Sequence, residues 1–122
     1  MINYERLNDL LIELIKIDSL SRCERNVAMR LKREMEDLGA MVFIDDAGDK
    51  VGGNVGNVIA HFSGTVTNAT PLLLSAHMDT VVPGEGIKPI RDGDILRTDG
   101  RTVLGGDDKS GVAIICEALR AV

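Results

Sequence analysis

The hydrophobic period of this chain changes once, near residue 40, and that change limits the folds open to it. Before it, Tyr4, Leu7, Leu11, Leu14 and Ile15 recur at helical spacing, with Glu5, Asn8, Asp9 and Glu13 on the other faces. Asp18-Ser19 breaks this first helix. A second is expected from Ser21, whose hydroxyl can cap it while Glu24, three positions on, closes a capping box. Val27, Ala28, Leu31, Met35 and Leu38 form its expected buried stripe, and Gly39 is placed to end it. Beyond residue 40 the pattern shortens to a strand at 41–44, a glycine-rich polar loop at 45–56 and a strand at 58–62. After the polar interruption at 63–70, Pro71-Leu72-Leu73-Leu74-Ser75-Ala76 is continuously apolar between turn signals, which predicts a strand buried on both faces. Asp92-Gly93 and Asp99-Gly100 flank a short run at 95–98 and predict a small hairpin. Residues 111–122 read as a closing helix. Helices, strands, then a strand feeding a loop and a helix predict an α/β fold, a mixed β-sheet flanked by helices.

Composition narrows the function. With 122 residues, 44% hydrophobic and 27% charged, the chain fits one ordinary globular unit. Its 14 basic and 19 acidic residues leave a net charge of −5, and no Lys/Arg cluster dominates any stretch, which argues against a nucleic-acid partner. Tyr4, Phe43 and Phe62 are too few to build base-stacking platforms. No apolar run approaches membrane-span length, and no basic-then-apolar leader follows Met1. Two distant cysteines, Cys23 and Cys116, cannot frame a disulfide fold. These features together predict a reduced, cytoplasmic protein with no membrane partner. The helical pattern at 111–122 has no Gly or Asn stop, as in part of a larger domain.

Two clusters carry chemistry. His77, Met78 and Asp79 follow the predicted buried strand, and ligands in open α/β sheets gather at strand carboxyl ends. One imidazole nitrogen there can bind a metal while a nearby carboxylate holds the other N–H. The second cluster is Leu104-Gly105-Gly106-Asp107-Asp108-Lys109-Ser110-Gly111, paired glycines leading two acids into a helix start. Read alone, each has an ordinary structural explanation: a hydrogen-bonded strand-end histidine, and an N-capping Asp107 or Asp108 beside a solvated Lys109. Read together, an imidazole and a carboxylate that converge form a ligand set suited to Zn²⁺, with Mn²⁺ or Co²⁺ as alternatives.

The segments Leu73-Leu74-Ser75-Ala76-His77-Met78-Asp79-Thr80-Val81 and Gly105-Gly106-Asp107-Asp108-Lys109-Ser110-Gly111 resemble the first two signature segments of the M20 metallopeptidases. Between them, Val82-Pro83-Gly84-Glu85-Gly86-Ile87-Lys88-Pro89 and Asp99-Gly100 through Leu104 are similar to the peptidase T-like tripeptidase branch, and the opening Ile17-Asp18-Ser19 with its capped second helix also resembles that family. The resemblance covers nearly the whole chain, with both motifs in the expected order. It implies that residues 1–122 form the N-terminal part of a metallopeptidase catalytic domain. His77 would bind one metal of a two-zinc site and Asp107 would bridge both. Asp79 would serve catalysis by orienting His77 without being a ligand itself. Asp107 is preferred to Asp108 because the family keeps the acid two places before the lysine. A cis peptide is expected at Asp107–Asp108. The family's general-base glutamate, its remaining ligands and its lid or dimerisation domain would lie beyond residue 122. The full-length enzyme would hydrolyse short peptides, as a tripeptide aminopeptidase or another amide hydrolase of the family, with a homodimer as a candidate assembly. The isolated chain is expected to be inactive and to bind metal weakly, and a non-catalytic, self-associating unit is the alternative of a different class.

Other residues read as structural. His61 is expected to be a satisfied strand histidine, Cys23 and Cys116 packing thiols, and Met29, Met35, Met41 and Met78 mostly core. Met78 should point away from its two neighbours on an extended backbone. Glu85 reads as a solvated loop acid. Gly52-Gly53 and Gly56 are not followed by Gly-Lys-Ser/Thr, so they do not form a phosphate loop.

Overall fold

The computed structural model describes residues 1–122. Helix α1 (Tyr4–Lys16) starts at Asn3, whose side chain accepts from the Arg6 amide, with Glu5 in the first turn and Lys16 in the last to suit the helix dipole. Helix α2 (Arg25–Asp37) ends in a Schellman turn. The Ala40 amide donates to Met35 O at 3.0 Å and the Gly39 amide to Glu36 O at 2.9 Å, with Gly39 at φ +92 as that turn requires. Strand β1 (Met41–Ile44) leads to a one-turn helix α3 (Ala47–Val51) inside the expected polar loop, then to β2 (Val58–His61), which pairs with β1 antiparallel. A hairpin of β3 (Ile90–Asp92) and β4 (Ile95–Arg97) precedes the closing helix α4 (Gly106–Ala121).

The core is a three-helix junction: Leu10 and Leu14 of α1, Val27, Leu31 and Met35 of α2, and Val112, Ala113 and Cys116 of α4. Val42, Ala60 and Phe62 lay the β1–β2 ribbon against it. Each fully buried Leu, Val or Met among them contributes about 1.5–3 kcal/mol, so the apolar interlock is the main source of stability. Two buried acids then fix the helices' relative positions. Glu117 accepts from Arg6 at 2.7 and 2.8 Å and from the Asn3 amide at 2.6 Å, joining α4 to α1. Glu34 accepts from Arg30 at 2.7 Å and also from Arg120, joining α2 to α4.

Several expectations need correction. Residues 72–76 make no backbone–backbone hydrogen bond, and Leu72 and Leu73 are 83% and 88% exposed. An apolar run on both faces reads as a central strand, but burial needs neighbours, and β1 and β2 pair only with each other. The pairing present is two antiparallel ribbons plus one isolated parallel bridge, Leu20 to Thr80. Ser21 does not cap α2, which begins at Arg25 without a side-chain cap. In α1 the buried stripe is centred on Leu10, Leu14 and Ile15, and Tyr4 is exposed at its outer end. Cys23 is exposed, as are Met29 and Met41, because they lie on the faces turned from the helix junction. Met35 is in the core and Cys116 is buried, its thiol pushed up to about 11 by that burial. His61 is exposed at the end of β2, opposite Met41.

Candidate active site

The first motif is built by alternation. On the extended stretch before Thr80, Ala76 and Met78 pack toward the helical core, so His77 and Asp79 face the other way. The Thr80 amide donates to Ser19 O at 2.9 Å, fixing the end of the stretch against the α1–α2 connector. Exposed Glu85 lies in the turn that follows, after a cis Val82–Pro83 bond.

The second motif is brought alongside by the hairpin. The Val103 amide donates to Pro83 O at 2.9 Å, and Gly105 then passes directly against Thr80. Gly105 has φ +75, and a Cβ there would stand 2.9 Å from Thr80 Cγ2, so this position needs glycine for both reasons. The Asp107–Asp108 peptide is cis, as the resemblance implied, and both residues have non-helical backbone angles. Helical geometry resumes with Asp108 as its cap, Oδ1 accepting from the Gly111 amide at 3.0 Å. Lys109 is wholly buried, and its Nζ donates to Ile17 O at 2.6 Å. The expected solvation of this lysine is therefore overturned. Burial pulls its pKa down to about 8, partly offset by the charge of Asp18.

With Asp108 and Lys109 engaged in the scaffold, Asp107 is left with its carboxylate 97% exposed and directed at His77. His77 Nε2 lies 3.1 Å from Asp107 Oδ1. Its Nδ1 lies 3.0 Å from Asp79 Oδ1 and 3.1 Å from Asp79 O. The other oxygen, Asp79 Oδ2, accepts from Ser21 Oγ. Partial desolvation pulls the His77 pKa down, but the bonds to Asp107 and Asp79 outweigh it and the net shift is upward. Asp79 is held below its ordinary value, first by the Ser21 hydroxyl and then by His77, against some desolvation. An imidazole nitrogen facing a carboxylate oxygen needs a positive centre between them, either a proton or a metal ion.

The donors fit a metal in part. Ligands about 2.0–2.1 Å from a tetrahedral ion stand about 3.3 Å from one another. The 3.1 Å between Nε2 and Oδ1 is close to that separation, so the pair can occupy two corners of one coordination sphere. Nowhere do three His, Cys, Asp or Glu side chains gather as a ligand group, so this chain does not supply the other corners.

Sequence reasoning missed two residues that shape this geometry. Lys109 carried a signal, since positions 109, 112, 113 and 116 share one buried helix stripe. Ser21 carried none, because its partner lies 58 residues away.

The chain has the fold of one part of two solved peptidase structures. It is similar to the crystal structure of aminopeptidase PepT from Bacillus cereus ATCC 10987, with a TM-score of 0.94 and 40% identity over 98% of this chain and 32% of that one. A tripeptidase from Staphylococcus aureus subsp. aureus Mu50 matches with a TM-score of 0.92 and 37% identity, again over 98% and 32%. In sequence the chain is 42% identical over its whole length to the uncharacterized protein YqjE of Bacillus subtilis (strain 168), covering 33% of it. It is 29% identical to peptidase T of Staphylococcus carnosus (strain TM300), over 79% of this chain and 30% of that protein. No family model matches the chain. The chain thus spans about a third of the length of the relatives it matches. No helix is long and apolar enough to cross a membrane.

Proposed function

We propose that this chain supplies one half of a metal-dependent active site, in an enzyme that removes the N-terminal residue from short peptides, tripeptides foremost. The observation that carries the reading is the 3.1 Å approach of His77 Nε2 to Asp107 Oδ1, made by residues 30 apart in sequence. In this reading His77 and Asp107 would hold zinc, with manganese or cobalt as substitutes. Bound there, the metal supplies Lewis-acid polarisation of the scissile carbonyl and an acidified water. Asp79 accepts the Nδ1 proton of His77 and so fixes which nitrogen faces the ligand position. Asp108 and Lys109 take no part in binding: they anchor the loop that presents Asp107. The choice of a short peptide over other amide substrates is supported by the relatives, two of which are named as a tripeptidase and an aminopeptidase.

Two donors cannot complete a coordination sphere or provide a general base, so the 122-residue chain by itself should show no peptide hydrolysis. In the complete enzyme, His77→Ala and Asp107→Ala should each lower kcat/KM for a tripeptide by at least about a hundredfold, more than a supporting group costs. Undiminished turnover in either variant would end the reading. Comparing tripeptides with dipeptides and N-acyl amino acids separates the tripeptidase from a carboxypeptidase or deacylase.

A second reading rests on the exposed leucines. Leu72 and Leu73, with unpaired backbone on either side, suit a non-catalytic unit that associates with itself through an open strand.

A further inference from the structure

The connector between α1 and α2 is bonded to every segment that frames the site. Ile17 O accepts from Lys109, Asp18 Oδ1 from the Gly86 amide at 2.8 Å, and Ser19 O from the Thr80 amide at 2.9 Å. Only one connector side chain reaches the three site residues themselves, and that is Ser21, through Asp79 Oδ2. We propose that Ser21 is a positioning residue: its hydroxyl locks the Asp79 carboxylate so that His77 carries its proton on Nδ1 and leaves the Nε2 lone pair toward Asp107. The approach of that lone pair to Asp107 rests on the function proposed above, since it needs a metal ion between the two atoms; without one, the exposed Asp107 side chain can turn away while the Ser21–Asp79–Nδ1 contacts stay.

Three observations carry it. First, the Asp79 side chain is 34% exposed, so a carboxylate bonded only to His77 would be free to swing toward water. Pinning Oδ2 removes that rotation and holds Oδ1 at 3.0 Å from Nδ1. Second, two acceptors, Asp79 Oδ1 and Asp79 O, converge on Nδ1. Nε2 faces one oxygen of a carboxylate that is almost wholly in water, where a hydrogen bond is worth less. A free histidine side chain prefers its proton on Nε2, so the site must work against that preference. Third, Ser21 is itself held in place. The Leu20–Thr80 bridge sets it beside the residue after Asp79. A tight turn follows, with the Cys23 amide on Leu20 O at 2.8 Å and Arg22 O accepting from Asn54. Ser21 caps no helix, so its hydroxyl has no competing structural duty there.

The test reads the tautomer directly, from long-range ¹H–¹⁵N correlations of the imidazole at a pH above its titration. The chain has only two histidines, and His61→Gln identifies the other as His77. Wild type should show the Nδ1–H form, Ser21→Ala should lose that preference, and Ser21→Thr, which keeps the hydroxyl, should restore it. A Ser21→Ala spectrum identical to wild type overturns the proposal, and so does a wild-type ring protonated on Nε2. Should Ser21→Ala fail to fold, Ser21→Cys offers a donor of similar size but weaker, and should give a partial loss. Adding Zn²⁺ separates this from the metal reading: a tautomer that follows position 21 while zinc leaves the ring signals unmoved, in the complete enzyme, supports the positioning role and removes the metal.

Discussion

At the scale of single residues, the most consequential group is Lys109, an ammonium with no exposed surface and one carbonyl partner. Lys109→Ala would open a cavity and strand Ile17 O, which should cost about 2–4 kcal/mol in urea denaturation. Lys109→Met keeps most of the volume and removes the buried charge but leaves Ile17 O equally without its donor, so its cost should be smaller, about 1–2 kcal/mol. Equal losses for the two would show that the ammonium with its bond to Ile17 O, not the packing, matters. Arg22 presents the opposite case. It is not glycine yet sits at φ +75 in the turn after Ser21, so Arg22→Gly should be neutral to stabilising by about 1 kcal/mol, read as a raised Tm. The convergence of the candidate site was mostly legible at this scale. His77, Asp79 and the Asp107-Asp108 pair stood out because few side chains can hold a metal, and the family resemblance chose Asp107 within the pair. Lys109 was misread because a charge beside two acids looks solvated, although its spacing with Val112, Ala113 and Cys116 placed it on the buried face. Ser21 could not have been read, since nothing local distinguishes a serine that caps from one that reaches a distant carboxylate.

At the scale of elements, the join between α2 and α4 should make the fold acid-sensitive. Burial alone would raise the Glu34 pKa, but the hydrogen bonds from Arg30 and Arg120 outweigh it and leave the carboxyl below its ordinary value. A carboxyl depressed in the folded state contributes stability that is present above the unfolded value of about 4.3 and is lost as pH falls through the folded one. Thermal melts should therefore show Tm falling on the acid side, and Glu34→Gln should flatten that fall while lowering Tm at neutral pH. A Gln variant with the wild-type acid slope would remove Glu34 from the account. The loop–helix junction at Gly105 is a second such element. Gly105→Ala combines a left-handed backbone with a contact inside van der Waals range of Thr80. It should cost about 1–3 kcal/mol and part His77 from Asp107, so the His77 ring signals should move as well as the melting curve. The helices were legible from their period, and the end of α2 from Gly39, because those signals are local. The open, unpaired state of 72–76 was not, because whether an apolar run is covered depends on which segments lie beside it, and periodicity carries no such information.

At the scale of the whole molecule, the open run at Leu72 and Leu73 bears on solution behaviour. If it draws copies together, light scattering should show mass rising with concentration, and Leu73→Lys should return it toward a monomer. A wild-type chain that stays monomeric over the whole range counts against the self-associating unit. The order of assembly follows from a different feature, the bidentate pairing of Arg6 with Glu117, which joins residues 111 positions apart. On a ribosome, α1 is made about a hundred residues before α4, so the face carrying Leu10 and Leu14 emerges long before the helix that covers it. Contacts so remote in sequence close late and slow folding. Until then the nascent chain displays its stickiest surface, and the histidine awaits an aspartate that has not yet been translated.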